Sequence, residues 1–332
     1  MQVKFQFVQY SVQSTAYNFK FIDQHADLIV LHFQQLNVSE SSCCVSKSNF
    51  TQYLESIMPS HEITAHSHCN QIHSFVCVKN LIRKLVQVES AQIMNKFGSH
   101  YGAVVQPIRF NGKLMLFVNC NLDQKSVSAR QKQFIDIENQ ILVWKNEIAL
   151  KQIENEPLNP EDLEVYKSNS QLTNRSKSRS KSLSRQNNPN KKQKKKKSQS
   201  QKIFTEAKVD RAYTVLMGNL NCKLSCTAEQ MQAALKKYTS DEPQSSEFSL
   251  YKELKNFDEL KNGINDLKEV KITFGPTYPV IKGTTKYQND KIGWTDRILT
   301  DFADLIIKPV YQCVKMEGSD HFPVILKGDL IM

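Results

Sequence analysis

No stretch of this 332-residue chain reaches the roughly 18 consecutive apolar residues of a membrane-spanning helix, so none is expected within it. No Cys-x-x-Cys pair occurs among the eight cysteines, and no secretory leader pattern precedes them. Both absences favour reduced, unlinked thiols and an intracellular setting. The opening residues MQVKFQFVQYSVQ alternate apolar and polar side chains, as a strand does and a signal peptide does not. No internal repeat and no strict alternation of strands with helices is visible, which sets aside solenoids and doubly wound parallel sheets. Acidic residues are missing from 167–205, where 13 Lys or Arg stand.

That last absence explains the net charge of +11. Outside the acid-free segment the chain carries 31 basic and 33 acidic residues, so the remainder is close to neutral. The segment, KSNSQLTNRSKSRSKSLSRQNNPNKKQKKKKSQSQK, has almost nothing to bury and is expected to be a disordered insert at about 155–205. It interrupts what otherwise reads as one domain spanning 1–332. A solvated loop with no specific partner is one reading of it. Its lysine run also suits nuclear import or attachment to an anionic membrane surface, at about 1 kcal/mol per lysine near the lipid. The Arg-Ser and Lys-Ser pairs suit RNA binding or phosphorylation. Without aromatics there is no base stacking, so nucleic-acid binding would be sequence-blind and salt-sensitive. The expected localisation is cytoplasmic, with membrane-surface or nuclear association through this insert.

The rest supports a core, with 40% apolar residues and 17 Phe. Strands are expected at the N-terminus and at Asp27–Phe33, Thr214–Met217, Glu269–Phe274, Asp296–Thr300 and Phe322–Leu326. In GAVVQPIRF-NG-KLMLFVNCNL two strands flank Asn111-Gly112, a pair suited to a type I′ hairpin turn. Phe134, Ile137, Ile141, Trp144 and Ile148 recur at steps of three and four and predict a helix. Thr227 and Gln230 form a capping box for a helix through Tyr238, and EFSLYKELKNFDELKNG predicts another that ends at Gly263. This mixture is α+β with largely antiparallel sheets.

Polar residues gather at strand ends in GNLN (218–221), GWTDRIL (293–299) and GSDHFPV (318–324). Asp296 with Asp320-His321 can make a carboxylate-oriented imidazole, which fixes a His tautomer for acid–base or phosphate chemistry. Singly each has a structural reading, an ion pair for Asp296-Arg297 and capping for Asp320-His321. Together, GNLN, PTYPV with GTTKY (Gly283, Thr284, Tyr287), WTDRIL and SDHFPV run in one order. That order resembles the inositol polyphosphate 5-phosphatase family, which shows GDLN, PTYK, GT-x-x-Y, W-[CT]-DRIL and SDH-x-PV. VQYSVQS, DLIVLHFQQL and the 102–122 hairpin resemble the family's earlier strands more loosely. The likeness covers about 1–150 and 206–330.

The resemblance implies a DNase-I-like fold, a four-layer α/β/β/α sandwich of two mostly antiparallel sheets. It implies Mg²⁺-dependent hydrolysis of a phosphate monoester, with inositol phosphates or phosphoinositide lipids as partners. By position Asn221, Asp296, Asp320 and His321 match retained catalytic residues, and Tyr278, Arg297 and Lys291 are the substrate-binding candidates. Four positions differ. Gln35 stands for the metal-binding Glu, Ser11 for an Asn beside it, Asn219 for the water-activating Asp and Asn121 for a His. Pro279 replaces a lysine, and HYG (100–102) replaces Asn-Lys-Gly. Mg²⁺ prefers anionic oxygens, and Asn219 cannot take a proton from water, a loss of about 10²–10⁴-fold. The expected function is therefore a phosphatase with weak or absent turnover. A non-catalytic phosphoinositide-binding scaffold is the alternative, and a nuclease of the same superfamily a more distant one.

One further tract places His61, His66, His68, Cys69, His73 and Cys77 within 17 residues. Such residues bind zinc, but their spacing fits no common site, and the tract reads as a variable loop between core strands.

Overall fold

The computed structural model describes residues 1–12, 19–36, 49–94, 101–155, 212–238, 250–260, 264, 266–284, 286–288 and 292–332. The basic insert and Lys291 lie outside the described residues. Two units divide the chain, Met1–Glu138 with Arg211–Met332, and Asn139–Asp210. Of the second, the helical stretch ending at Asn155 is described.

Strands number thirteen among the described residues. In chain order they begin with β1 (Gln2–Ser11), β2 (Leu28–Gln34), β3 (His61–Cys69) and β4 (Ile72–Lys79). Next come β5 (Val86–Val88), β6 (Gln92–Met94), β7 (Gly102–Phe110), β8 (Lys113–Asn121) and β9 (Tyr213–Asn219). The last are β10 (Lys268–Glu269), β11 (Asp296–Thr300), β12 (Ile307–Cys313) and β13 (Val324–Ile331). One sheet runs β12-β13-β1-β2-β4-β3, and the other β10-β11-β9-β8-β7-β5 with β6 against β7. Each is antiparallel except for one parallel pair, β1 with β2 and β8 with β9.

Alternating side chains bring the sheets together. Phe5 and Phe7 of β1 and Val30 of β2 join Phe117 of β8, Met217 of β9 and Ile298 of β11 in one buried cluster. Burying each such side chain contributes about 1.5–3 kcal/mol. On the other face of β2, Phe33 meets Phe50 and Leu54 of helix α1 (Asn49–Ile57). The 102–122 hairpin has the expected turn, with Asn111 at φ 49° and Gly112 at φ 80°.

Several elements differ from expectation. The predicted strand at 269–274 is short, because β10 pairs with β11 only through Lys268 and Glu269. The last strand starts two residues late, at Val324, since Phe322 belongs to the preceding loop. The helix predicted to reach Gly263 is helical at 250–254 and becomes a 3₁₀ turn at Lys255–Phe257. Asp258 leaves helical geometry there because it bridges to Leu224 and binds Arg297. The His/Cys tract is no loop, since it forms the β3–β4 hairpin. In it His66, His68 and His73 stack with ring centroids 5.4–5.7 Å apart, and His66 lies on Phe75 at 4.1 Å. Among the described residues no group of three or more His, Cys, Asp or Glu is placed to hold a metal ion. No described helix is long and apolar enough to cross a membrane. Helix α2 (Val127–Asn155) contains the predicted periodic stretch, and α3 (Ala228–Tyr238) begins with the Thr227–Gln230 box, bonded both ways.

Candidate functional site

Strand ends of both sheets converge on one cleft. Parallel pairing aligns Ser11 with Gln34 at the ends of β1 and β2, and Asn121 with Asn219 at the ends of β8 and β9. β11 enters antiparallel, which sets Asp296 opposite Asn219. A cleft of about 490 Å³ opens there, lined by Gln35, Gln71, Tyr101, Asn121, Gln124, Asn219, Asn221, Tyr278, Asp320 and His321.

Asp296 is fully buried beneath the cleft and organises it. Its Oδ2 accepts hydrogen bonds from Thr295 Oγ1 (2.9 Å) and Thr277 Oγ1 (3.2 Å), and faces His321 Nδ1 at 2.7 Å. Its Oδ1 accepts from Ser11 Oγ (3.0 Å) and Gln9 Nε2 (3.4 Å). So many donors fix the carboxylate in place. Burial alone would lower the pKa of His321, but the Asp296 charge and hydrogen bond outweigh it and raise the pKa. With Nδ1–H donated to Asp296, Nε2 remains for the cleft, 3.8 Å from Asp320 Oδ1. Tyr278 lies over the imidazole, ring centroids 4.4 Å apart, and its hydroxyl accepts a bond from Gln124 Nε2.

In the GNLN turn Asn219 stands where the resemblance expects an aspartate. Asn219 Oδ1 accepts the backbone N–H of Asn221 at 3.1 Å, as an aspartate there would. Asn221 sits at φ 52°, a left-handed conformation that Asn tolerates, and its amide donates to Leu122 O (2.7 Å) and Asn121 Oδ1 (3.4 Å). The turn is held by amides and carries no carboxylate.

Two sequence-predicted residues have other roles. Arg297, expected to touch substrate, is 2% exposed and points away from the cleft lining. Its guanidinium binds Asp258 at 2.8 Å and Glu269 bidentately, while Tyr311 donates to Glu269 at 2.6 Å. Alternation along β11 is the cause, since Asp296 and Arg297 must face opposite sides. Ser11, expected beside a metal, is fully buried and supports Asp296 instead. Gln35 does line the cleft, at φ 56°.

The supporting layer is where sequence reading fell short. Gln34 donates to Gln9 Oε1 (3.1 Å) and binds Asn119, whose own amide donates to His73 O (2.7 Å), so the two sheets are joined by amides. Ser319 donates to Ser11 O (2.6 Å) and accepts from His321 N (3.1 Å), tying the SDH loop to β1. Polar residues at inward positions of otherwise apolar strands were the available signal. Gln71, Tyr101 and Gln124 enter the cleft from loops and carry no such signal.

The donor set also tests the Mg²⁺ that the resemblance implies. Asp320 is the one carboxylate among the described lining residues, and Gln35, Asn121 and Asn219 offer neutral groups. Mg²⁺ dehydrates reluctantly and favours carboxylate oxygens, so these residues do not fit it.

Two packed mixed sheets with a polar cleft at their strand ends define the DNase-I-like α/β sandwich of phosphoester-cleaving proteins. The chain belongs to the endonuclease/exonuclease/phosphatase family 2, whose model matches residues 6–327. No curated protein matches the sequence. Among solved structures, the inositol polyphosphate 5-phosphatase domain of SpSynaptojanin, in complex with inositol (1,4)-bisphosphate and calcium ion, is similar at 16% identity and TM-score 0.59. That alignment covers 99% of this chain and 84% of the other. Cimex nitrophorin in a ferrous NO complex is similar at 13% identity and TM-score 0.60, over 100% and 99% of the two chains. At these identities the likenesses establish the fold.

Proposed function

We propose that this chain is a catalytically degenerate member of its family that binds inositol-class ligands in the cleft with little or no phosphate release. One observation carries the reading. Gln35, Asn121 and Asn219, the three positions that lose a charged or proton-accepting group relative to the 5-phosphatase pattern, all line the same cleft. The Asp296–His321 contact, the Asn221 amide bonded to Leu122 O and the Tyr278 ring over His321 support the reading beside them. Loss of the base alone is worth about 10²–10⁴-fold, and the exchanges are not multiplicative because such residues act as a unit. The order PTY, WTDRIL, SDH supports inositol ligands over nucleic acid.

The intact Asp296–His321 pair favours a second reading, an enzyme of residual activity. Phosphate release from inositol (1,4)-bisphosphate with Mg²⁺ separates the two. Release indistinguishable from buffer is expected. A steady rate that disappears in His321→Ala supports the residual enzyme and overturns the non-catalytic reading.

A further inference from the structure

The cleft's composition says more than that charge is missing. Six of its ten lining residues are carboxamides, two are tyrosines, and the others are Asp320 and His321. Among the described residues no Lys or Arg lines it. An anion bound there would meet one imidazole as its cationic partner, with the carboxylates of Asp320 and Asp296 beside that imidazole. Sites that hold phosphate by charge place Arg or Lys there.

A hydroxyl group is both donor and acceptor, and a carboxamide presents one acceptor and two donor hydrogens side by side. Adjacent hydroxyls on a ring are met well by such groups. Tyr278 and Tyr101 add apolar ring faces with a polar tip, which suit the C–H faces of a polyol. Asp320 points the same way. Its Oδ1 is buried without a hydrogen-bond donor among the described residues. A carboxyl oxygen without a donor has as its complement a ligand that donates. A hydroxyl donates, and an ionised phosphate ester does not. The cleft volume, about 490 Å³, lies within the range usual for small-molecule sites.

We propose that the cleft recognises a neutral cyclic polyol through its ring hydroxyls. In the inositol-class ligand of the function proposed above, on which this inference rests, the ring and not its phosphates carries the affinity. Exchanging Glu, Asp and His for Gln and Asn then changes the chemistry of the site as well as disabling it. Carboxylates that would balance a metal are replaced by groups that bond hydroxyls directly.

Calorimetric titration of the full chain in a chelating buffer tests this, with myo-inositol, inositol (1,4)-bisphosphate and inorganic phosphate as probes. Each is measured at about 50 and about 300 mM salt, because screening separates charge-held from hydroxyl-held ligands. Myo-inositol and the bisphosphate are expected to bind within about threefold of one another with little salt dependence, and inorganic phosphate not to compete. Asp320→Asn should weaken myo-inositol about tenfold, the usual effect of losing a charge-assisted bond. Gln124→Ala, at an exposed position, should weaken it less and leaves a readout if the first variant does not fold. Bisphosphate binding alone, falling steeply with salt and strengthened by Asp320→Asn, overturns the polyol inference while the inositol reading stands. Binding of neither ring compound overturns both.

Discussion

Asn219 and Arg297 stand one β-bridge apart and illustrate how far single residues determine this site. Asn219 Oδ1 accepts in the turn at 3.1 Å as an aspartate would, so local geometry does not distinguish the amide from the carboxylate that the proposed function sets in its place. Arg297 belongs to the same WTDRIL string as Asp296, yet its chemistry is structural. Burial disfavours the guanidinium charge, but Glu269 and Asp258 outweigh that and raise its pKa. Arg297→Met is therefore expected to cost about 3–5 kcal/mol, because it leaves two nearly buried carboxylates unpaired. Urea denaturation measures this, and a loss under about 1 kcal/mol would show that the cluster is solvated in solution. The string itself was readable because its six residues recur together in a known pattern. Which of them face the cleft was not, since that depends on where β11 begins its alternation.

Among the elements, the β8–β9 pair brings Asn121 and Asn219 side by side at the cleft and is tightly packed. A Cβ on Gly218 would stand 2.1 Å from the carbonyl oxygen of Cys120, backbone that cannot rotate away. Gly112, in the hairpin turn, has nothing within 4 Å of an added Cβ, so its need is conformational. The two glycines should respond differently to alanine. Gly112→Ala is expected to cost about 1 kcal/mol through its positive φ alone. Gly218→Ala should cost at least about 3 kcal/mol and displace Asn219 with it. Thermal melts of both variants compare them, and equal losses would mean that the strands separate easily at Cys120. The hairpin was legible from Asn111-Gly112 and the apolar runs beside it. The helix boundary at Leu254 was not, because a distant arginine draws Asp258 out of the helical register. The β3–β4 hairpin was misread as a loop for a related reason. Its histidines are polar in composition, yet His66 lies flat on Phe75 and stacks with His68 and His73.

At the scale of the whole molecule, buried histidines set the response to acid. Burial lowers the pKa of His32 to about 3, and burial together with the neighbouring His66 and His68 lowers that of His73 to about 3. Both are neutral when folded and would protonate near their ordinary value when unfolded. Stability is then complete above about pH 6.5 and falls as pH drops toward 3, because the unfolded chain binds more protons. Each histidine contributes a slope of about 1.4 kcal/mol per pH unit in that window. His321 has the opposite sign. Its raised pKa gives stability that is fully present below its unfolded value and lost as pH rises through the folded one. Urea melts between pH 6.5 and 5 should show the acid slope, and His32→Leu should flatten it by one histidine's share. An unchanged slope in that variant would mean His32 is already protonated in the fold.

The two-sheet architecture was foreseeable from alternating strands and the motif order, and the site's frame from WTDRIL, PTY and SDH. The amide layer beneath the cleft was not foreseeable, because Gln9, Gln34 and Asn119 acquire meaning only when the two sheets face each other. A fold of this kind serves unlike purposes, so function rests on the residues in the cleft. The central claim is that Gln35, Asn121 and Asn219 together silence a site that keeps Asp296, Asn221 and His321. Its most direct test is Mg²⁺-dependent phosphate release from inositol (1,4)-bisphosphate by the native chain and by the Gln35→Glu, Asn121→His, Asn219→Asp triple variant. Release at buffer level by the native chain, raised at least about 100-fold in the triple variant, is the predicted result. A native rate equal to or above that of the triple variant would contradict it.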